Sequence, residues 1–389
     1  MDNLTIKKPK VVFALVEAGL GHIMPLTAVA NAFEAKYGDK CEVVRTKFFS
    51  DTQNPDMKWV EDELVKEVKL HNKDWWRGIS QFAMMGLVGT RLSLKFLYKT
   101  KYKRGFAPSI EYMQNLNADL IVNTHFATIF YACEAKEKGL INSDIAVYCP
   151  DPVIGKQWDN RANITAVSSE MGKNNAQKGG RFDASQLVRI PFLIRPEIAN
   201  YTENKAFYRK ELGIPEDNFT ILLADGAYGA GKLEKTVQLL MQSKKKFTII
   251  AVCGRNQKLY ERFLEIVPPE NITFLPFGFC DKMLTLSAAC DLFIGKAGAS
   301  NLAEPTYFGA PAIITFCATP IETWIAKKYT DDVGNSLKIK NLKKVANLVD
   351  EWIENPILMQ PYIDACKPEQ RHDGAEIYAD ILAKRLGLL

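Results

Sequence analysis

An opening of strand, glycine turn and helix occurs twice in this chain, and the repeat constrains the fold more than any other feature. The first copy reads "KVVFALVEAGLGHIMPLTAVANAFEAKYG" and the second "FTILLADGAYGAGKLEKTVQLLMQSKKK". In each copy a continuous apolar run precedes glycines, and apolar residues at helical spacing follow. Continuous apolar runs are typical of strands in a parallel sheet that helices cover on both faces. The repeat therefore predicts two domains of the same architecture.

Further apolar runs alternate with helical segments in both halves. The first half contains "CEVVRTKFF", "ADLIVNTHF", "DIAVYCP" and "NITAVSS", and the second contains "FTIIAVCG", "ITFLPFGF", "DLFIGKAG" and "PAIITF". This alternation predicts an α/β fold with two doubly wound, Rossmann-like domains. Ligands of such sheets bind beyond the carboxyl ends of the strands, so two facing domains would place both glycine turns on one cleft.

The segment "RIPFLIRPEIANYTENKAFYRKELG" indicates the domain boundary, because it carries Pro191 and Pro196 and has no clear strand. A chain of 389 residues is long enough for two domains of ordinary size. We predict an N-terminal domain over residues 1–195 and a second domain over residues 205–365. Residues 366–389 are predicted to form a C-terminal helix that packs back on the first domain.

Composition excludes several classes of protein. The net charge of +5 is too small to indicate nucleic-acid binding over the whole surface. The eight cysteines form no Cys-x-x-Cys pair, which favours reduced thiols in a cytoplasmic protein over a metal site. We expect no secretory signal, because the start "MDNLTIKKPK" is polar. The uncharged stretch 78–90 is shorter than the about 20 residues that span a bilayer, so we expect no membrane-spanning segment.

The stretch "ADGAYGAGKL", residues 224–233, has the glycine and lysine spacing of a P-loop. A P-loop requires Ser or Thr after its lysine, because that hydroxyl binds Mg²⁺. Leu233 stands there in this chain. The stretch therefore predicts a phosphate-binding loop without the usual metal, in which Gly226, Gly229 and Gly231 let the backbone approach phosphates.

A second glycine turn lies in "CDLFIGKAGASNLAEPTYFGAPAIIT", residues 290–315. We predict that Ser300 caps a helix starting at about Asn301, whose free N–H groups bind an anion. Lys296 would meet a diphosphate there, and Glu304, one turn into the helix, would accept hydrogen bonds from a ribose diol. Glycine turns are common in α/β folds, but two in one domain, one of them with a lysine and a glutamate, favour a binding function.

These motifs resemble those of the GT-B glycosyltransferases. "LLADGAYGAG", "VCGRNQKL", "FLPFGFCDKM", "AACDLFIGKAG" and "NLAEPTYFGAP" are similar in order and spacing to the monogalactosyldiacylglycerol synthases and the processive diacylglycerol glucosyltransferases. The peptidoglycan GlcNAc transferase is a more distant relative. "EAGLGHIMPLTAVANAF" resembles the family's Gly-x-Gly-His opening, and "DPVIGKQW" and "AVSSEMG" follow more loosely. The resemblance extends over nearly the whole chain.

The resemblance implies a UDP-sugar donor bound by the second domain, without a metal or other cofactor. It implies that Glu304 binds the ribose and that Arg255 and Phe279 lie near the nucleotide. The predicted donor-binding residues are Gly226, Gly229, Gly231, Arg255, Phe279, Lys296, Ser300, Asn301, Glu304 and Glu322. Ile321 and Ile325 replace amides that contact the donor sugar in the family. This departure leaves the identity of the sugar open.

The resemblance also implies a catalytic base in the first domain. An alcohol that attacks an anomeric carbon needs a base near its proton, and imidazole suits this task. His22 is the predicted base, His125 is the alternative candidate, and Asp151 is predicted to orient or replace the base. A plain helix-capping role for His22 stays open. The family histidine after the strand-end aspartate is Gly155 here, whereas Trp158 is kept.

Residues 71–106 interleave aromatic and aliphatic groups with basic ones, which suits an anionic membrane surface. In the family this region helps to admit the lipid acceptor. An ordinary helix pair with a solvated basic face is the alternative, and nothing else in the chain supports a nucleic-acid surface. The predicted acceptor or membrane residues are Trp75, Trp76, Phe82, Arg91, Lys95 and Phe96.

Together these patterns predict an inverting, metal-independent glycosyltransferase. It would move a hexose from a UDP-sugar to a lipid hydroxyl, most simply that of diacylglycerol, as a peripheral protein on the cytoplasmic face of the cell membrane. Two alternatives stay open. One is a transferase for soluble small molecules or a GT-B sugar-nucleotide epimerase, and the other is a UDP-sugar-binding protein without turnover.

Overall fold

The structure is a computed structural model that describes most of the chain. The chain folds into two compact units. The first unit runs to Arg195 and includes His372–Leu389, and the second is Pro196–Arg371. The chain thus returns to the first unit a few residues after position 366. The described residues are 8–17, 20–73, 96, 99–100, 102–155, 158–226 and 231–389.

Each unit contains one six-stranded sheet in which all neighbouring strands are parallel. The first sheet has the order β2-β1-β3-β4-β5-β6 and the second has the order β12-β11-β10-β7-β8-β9. The strands are β1 Lys10–Leu15, β2 Glu42–Lys47, β3 Leu120–Asn123, β4 Asp144–Tyr148, β5 Ile164–Val167, β6 Leu187–Arg189, β7 Phe219–Ala224, β8 Phe247–Val252, β9 Ile272–Phe277, β10 Leu292–Lys296, β11 Ala312–Phe316 and β12 Ser336–Lys338.

Helices connect most of the strands. They are α1 Leu20–Tyr37, α2 Pro55–Lys73, α3 Phe106–Leu116, α4 Phe126–Glu137, α5 Glu170–Gln177, α6 Lys205–Glu211, α7 Leu233–Leu240, α8 Gln257–Leu264, α9 Met283–Ala289, α10 Ala299–Tyr307, α11 Pro320–Lys327, α12 Leu342–Glu354, α13 Gln360–Cys366 and α14 Gly374–Arg385. Within the described part of the chain, no helix combines the length and the apolar character that crossing a bilayer requires.

Alternate residues of each sheet enter different cores. In β1, Val12 belongs to one buried cluster and Phe13 to another. In β7, Leu223 likewise belongs to one buried cluster and Leu222 to another. Successive side chains of a strand point to opposite faces, so both sheets are buried on both sides. The predicted α/β fold with two Rossmann-like domains is therefore confirmed.

The C-terminal helix α14 packs on α1 within the first unit. Asp380 accepts hydrogen bonds from Lys36 Nζ at 2.7 Å and from the Tyr37 hydroxyl at 2.6 Å. Tyr378 is fully buried and lies beside the ring of Tyr148. The last segment of the chain therefore completes the core of its first unit.

The strand order of each sheet reverses at one place, which we call the switch point. In the first sheet this place lies between β1 and β3, and in the second between β7 and β10. Connections leave the two central strands toward opposite sides there, and a crevice opens at their carboxyl ends. Residues that follow these four strands are consequently the first candidates for ligand contact.

Candidate functional site

The first-unit switch point is bridged by His22 and Thr124. His22 lies in the first turn of α1, and Thr124 follows β3. The Nδ1 atom of His22 is 2.6 Å from the Thr124 carbonyl oxygen, and the Thr124 hydroxyl donates to the His22 carbonyl oxygen at 2.9 Å. A carbonyl oxygen only accepts, so Nδ1 carries the proton. This tautomer leaves Nε2 as the nitrogen that can accept a proton.

His125 lies beside His22 but has a structural task. Its ring caps α4 by accepting the Ala127 N–H at 3.3 Å, and it stacks on Phe126 at 4.3 Å between centroids. The two histidine rings meet edge to face at 5.1 Å. Burial, and secondarily the charge of His22, hold the pKa of His125 well below its usual value. His125 is therefore a neutral neighbour of His22.

Asp151 follows β4 at the same edge of the sheet. Burial raises the pKa of its carboxyl, while the charge of His22 and the indole N–H of Trp158 oppose this rise. Trp158 Nε1 is buried and falls short of a well-formed hydrogen bond. Asp151 and His22 are thus electrostatic partners.

The loop after Asp151 is held by Arg181. Its guanidinium donates to the carbonyl oxygens of Ile154 at 3.0 Å and Gly155 at 2.8 Å. The hydroxyl of Ser169 donates to the Pro152 carbonyl oxygen at 3.0 Å. These bonds fix the loop by its backbone. The glycine that stands in place of the family histidine therefore contributes a carbonyl group to the fold.

At the second-unit switch point, β7 and β10 lie so close that glycine is required. A Cβ atom on Gly295 would overlap the Ala224 carbonyl oxygen. After β7 the chain turns at Gly226 with φ +80°, a left-handed conformation that favours glycine. A side chain on Gly226 would approach the Lys296 side chain, with its Cβ 3.2 Å from Cε. The Lys296 side chain therefore lies close to the position that a side chain on Gly226 would occupy.

Lys296 is oriented by Glu322. Its Nζ atom donates to Glu322 Oε1 at 2.7 Å, and the other carboxylate oxygen accepts the Ala318 N–H at 2.5 Å. Glu322 lies in the first turn of α11, which Thr319 caps. The ion pair is largely shielded from solvent, since the Lys296 and Glu322 side chains are 22% and 13% exposed. A positive charge is thus fixed at the end of β10.

The helix that follows β10 starts earlier than the sequence predicts. Gly298 is its N-cap and makes no side-chain hydrogen bond, so the prediction that Ser300 caps the helix is wrong. Ser300 and Asn301 instead lie in the first turn, with Ala299. The N–H groups of a first turn have no partner within their own helix and attract anions. We call the start of α10 and Lys296 together the candidate anion site, because both attract negative charge.

Glu304 lies on α10 as predicted, and its residue is only 3% exposed. The helix continues through Pro305 to Tyr307. A buried carboxylate within one turn of an anion site suits a neutral hydrogen-bonding ligand group such as a sugar hydroxyl. The ribose role of Glu304 stays a prediction.

Asp225 is a residue of this site that the sequence analysis missed. It follows β7 directly, and its Oδ2 atom accepts the N–H of Leu233, the first residue of α7, at 2.8 Å. The signal in the sequence was a carboxylate between a buried strand and a glycine. Lys232, the lysine of the P-loop-like spacing, donates to the Lys340 carbonyl oxygen at 2.9 Å. The Lys232 ammonium group is therefore bonded to a backbone carbonyl and not to Asp225.

Arg255 and Phe279 follow β8 and β9, at the same edge of the sheet. The Arg255 guanidinium lies 5.1 Å from the centroid of the Phe279 ring, and Phe279 is 66% exposed. A guanidinium beside an exposed aromatic ring provides a surface on which a base can stack. The structure brings these two predicted residues together.

The two isoleucines at the family's amide positions pack against the core. Ile325 is buried in an apolar cluster of the second unit, and Ile321 packs against the same cluster. Both lie on α11, which also carries Glu322. Apolar packing therefore accounts for the two substitutions.

Several predicted residues lie outside the described part of the chain. They are Gly229, Trp75, Trp76, Phe82, Arg91 and Lys95. Phe96 is described and is 69% exposed. Gly231 is described, and a Cβ atom there would overlap the Asp225 carboxylate.

The fold and a family match indicate the class of protein. Two Rossmann-like domains, each built on a six-stranded parallel sheet, are the fold of the GT-B glycosyltransferases. Residues 220–318 match the Glycosyltransferase family 28 C-terminal domain, which covers β7 to β11 and both glycine turns. The predicted resemblance to GT-B glycosyltransferases is therefore confirmed.

Curated relatives agree with this class. The chain is 25% identical over 368 residues to the probable monogalactosyldiacylglycerol synthase of Nicotiana tabacum, which covers 90% of this chain and 66% of that protein. Over 195 residues, 47% of this chain and 52% of the relative, it is 35% identical to the UDP-N-acetylglucosamine–N-acetylmuramyl-(pentapeptide) pyrophosphoryl-undecaprenol N-acetylglucosamine transferase of Thermoanaerobacter sp. (strain X514). The chain thus spans about two thirds and about half of these relatives.

Solved structures share the fold. MurG of Acinetobacter baumannii superposes with a TM-score of 0.64 at 18% identity, covering 97% of this chain and 99% of that one. Anabaena HepE in complex with UDP-glucose gives a TM-score of 0.55 at 14% identity, covering 98% and 100%.

Proposed function

We propose that this protein transfers a hexose from a UDP-sugar to a lipid hydroxyl, with inversion at the anomeric carbon and without a metal ion. The second unit would bind the donor, and the first would supply the catalytic base and receive the acceptor. The acceptor we favour is diacylglycerol, at the cytoplasmic face of the cell membrane. Names of the curated relatives support a sugar donor and a lipid-type acceptor.

One observation carries the proposal. The segment that matches the family 28 domain contains the second-unit switch point, with the start of α10 and Lys296 as the candidate anion site. A diphosphate bound there would be neutralised by fixed N–H groups and one ammonium group. The same interactions would stabilise the departing UDP, whose negative charge grows as the bond to the sugar breaks. Arg255 and Phe279 would stack on the uracil base of the donor.

The hydrogen bond between His22 and the Thr124 carbonyl oxygen supports His22 as the catalytic base. The acceptor hydroxyl would give its proton to Nε2 while its oxygen bonds to the anomeric carbon and the bond from that carbon to the diphosphate breaks. The ring then becomes a cation, which the Thr124 carbonyl oxygen and Asp151 stabilise. His125 stays neutral and adds no competing charge.

A second candidate is a UDP-sugar-binding protein without turnover. The packing of Ile321 and Ile325 against the core favours it, because neither side chain can donate or accept a hydrogen bond from a sugar. Such a protein would keep the anion site and bind UDP, but it would release no UDP from any donor.

The test is UDP release from purified protein mixed with diacylglycerol vesicles and EDTA. Parallel reactions use UDP-glucose, UDP-galactose, UDP-GlcNAc and UDP-glucuronate, each with and without the lipid. We expect lipid-dependent release from one donor. Release without lipid would instead indicate hydrolysis, an epimerase or a transferase for soluble acceptors. Binding of UDP without any release would favour the second candidate.

A further inference from the structure

The start of α7 is already occupied by an anion that belongs to the chain. Asp225 leaves β7 and places Oδ2 2.8 Å from the N–H of Leu233, the first residue of that helix. A phosphate in a P-loop would receive N–H groups at the same place, the N-terminus of the helix after the first strand. The carboxylate therefore stands where a phosphate would otherwise bind.

The surrounding chain is shaped to hold this carboxylate. Gly231 has no Cβ, and one there would overlap Asp225 Oδ2. Asp225 is only 3% exposed, and its Oδ1 atom is buried without a hydrogen bond. A buried acceptor without a partner is costly unless it gains one. The carboxyl group thus has one satisfied oxygen and one that can still take a proton.

The second anion position lies next to the first. Ala224 of β7 pairs with Gly295 of β10, so Asp225 and Lys296 follow neighbouring strands. Lys296 lies against Gly226 and is paired with Glu322. Gly298, two residues after Lys296, is the N-cap of α10 and makes no side-chain hydrogen bond. Of these two adjacent helix starts, one is bonded to the Asp225 carboxylate and the other has no side-chain cap.

We propose that Asp225 keeps phosphates away from the start of α7, directs the donor diphosphate to the start of α10, and takes up a proton when the diphosphate arrives. This inference rests on the proposed UDP-sugar donor and adds a positioning residue with a proton-linked role. The Asp225 carboxyl would protonate at Oδ1, the oxygen that has no hydrogen bond.

The electrostatics agree with proton uptake. Burial raises the pKa of Asp225, and the N–H groups of Lys232, Leu233 and Lys296 and the charge of the Lys296 side chain oppose this rise. The other charges facing the group are Glu322 of α11, which neutralises Lys296, and the Lys232 ammonium, which is bonded to the Lys340 carbonyl oxygen. An arriving diphosphate adds negative charge and favours the neutral acid further. Donor affinity should therefore fall as pH rises through this pKa.

The experiment is isothermal titration of UDP-glucose and UDP-galactose between about pH 5 and pH 8, in two buffers with different heats of ionisation. The diphosphate of a UDP-sugar does not titrate in this range, so any proton taken up belongs to the protein. We compare the wild type with Asp225→Asn, which keeps an oxygen for the Leu233 N–H. The control is Asp217→Asn, an exposed aspartate near the opposite end of β7.

We expect the wild type and Asp217→Asn to take up a proton on binding, with affinity falling by up to about tenfold per pH unit, the limit for one proton. Asp225→Asn should bind without proton uptake and with a flatter pH profile. Binding by the wild type with neither proton uptake nor pH dependence would overturn the role of Asp225 and leave the proposed function intact, even if the variant fails to fold. UDP and the four UDP-sugars of the transfer test are titrated in the same way, and absence of binding to all of them would overturn both.

Discussion

The Nδ1 atom of His22 lies 2.6 Å from the carbonyl oxygen of Thr124, and the Thr124 hydroxyl donates back to the His22 carbonyl oxygen. This reciprocal pair joins the start of α1 to the end of β3. The tautomer of the ring is therefore set by a backbone group, which no single side-chain substitution removes. The same contact that fixes the helix in place orients the nitrogen available for chemistry.

His22→Ala should lower kcat about 10²–10⁴-fold, because the acceptor proton loses its base. UDP affinity should not change, since the donor residues lie in the second unit. Steady-state transfer and UDP titration measure the two effects. His372→Ala, at an exposed histidine, is the matched control. Loss of UDP affinity in His22→Ala would contradict the assignment.

Lys296→Ala should weaken UDP binding about tenfold or more, as expected for the loss of a charged hydrogen bond of about 1.5–3 kcal/mol. The removed ammonium also leaves Glu322 as an unpaired carboxylate near the diphosphate. Lys338→Ala provides the control, because Lys338 is exposed at the carboxyl end of β12 in the same sheet. Equal UDP affinities of Lys296→Ala and Lys338→Ala would show that Lys296 does not contribute to UDP binding.

Gly231→Ala should destabilise the second unit by about 1–3 kcal/mol, the usual cost of overpacking a filled space. The new methyl group would collide with the Asp225 carboxylate. Adding Asp225→Gly should recover part of the loss, which a double-mutant cycle of denaturant unfolding measures. Gly278→Ala is a matched control, since a Cβ there meets Tyr260 at an ordinary 3.6 Å. Additive effects of the two changes would argue against the collision.

Asp380→Asn should destabilise the first unit by about 0.2–1 kcal/mol at neutral pH, the range for a partly exposed ion pair. Burial raises the pKa of Asp380, but the hydrogen bonds from Lys36 and Tyr37 outweigh it and leave the pKa below its usual value. The contribution is therefore complete above about pH 4 and is lost as pH falls through the lowered pKa. Thermal unfolding from neutral to acidic pH should show the wild type and variant converging, whereas Asp39→Asn, exposed after α1, should follow the wild type.

Arg91→Glu with Lys95→Glu should reduce co-sedimentation with anionic vesicles, because each basic residue near such a surface contributes about 1 kcal/mol. Vesicles without anionic lipid should bind the wild type less. Lys343→Glu with Lys344→Glu, on exposed positions of α12, makes the same charge change elsewhere. An equal loss in both double variants would show that total charge, and no particular surface, drives binding.

Local pattern predicted most strands but not the shortest ones. The long apolar runs identified β1 and β7 because both faces of a parallel strand are buried. Leu187–Arg189 and Ser336–Lys338 have three residues each, too few to carry a pattern, and they pair only at the sheet edges. Their place depends on the neighbouring strand rather than on their own composition.

The site was predictable in its residue types and less so in its contacts. Lys296 and Glu322 were each recognised, but their ion pair joins residues far apart in the chain and leaves no local signal. Ser300 is a good capping residue, yet the helix starts at Ala299 with Gly298 as its N-cap, after a register shift that follows Gly295. The role of Asp225 depends on its contact with the N–H of Leu233, eight residues later, which composition does not encode.

The second unit is inserted in the chain between Arg195 and His372 of the first unit, and this order has a consequence for biosynthesis. The ribosome must make the entire second unit before it makes α14, whose Tyr378 fills the first core. Until then the nascent first unit exposes the apolar surface of α1 that α14 later covers. The second unit, being contiguous, can complete its fold earlier, so the half that is translated first is the last to become whole.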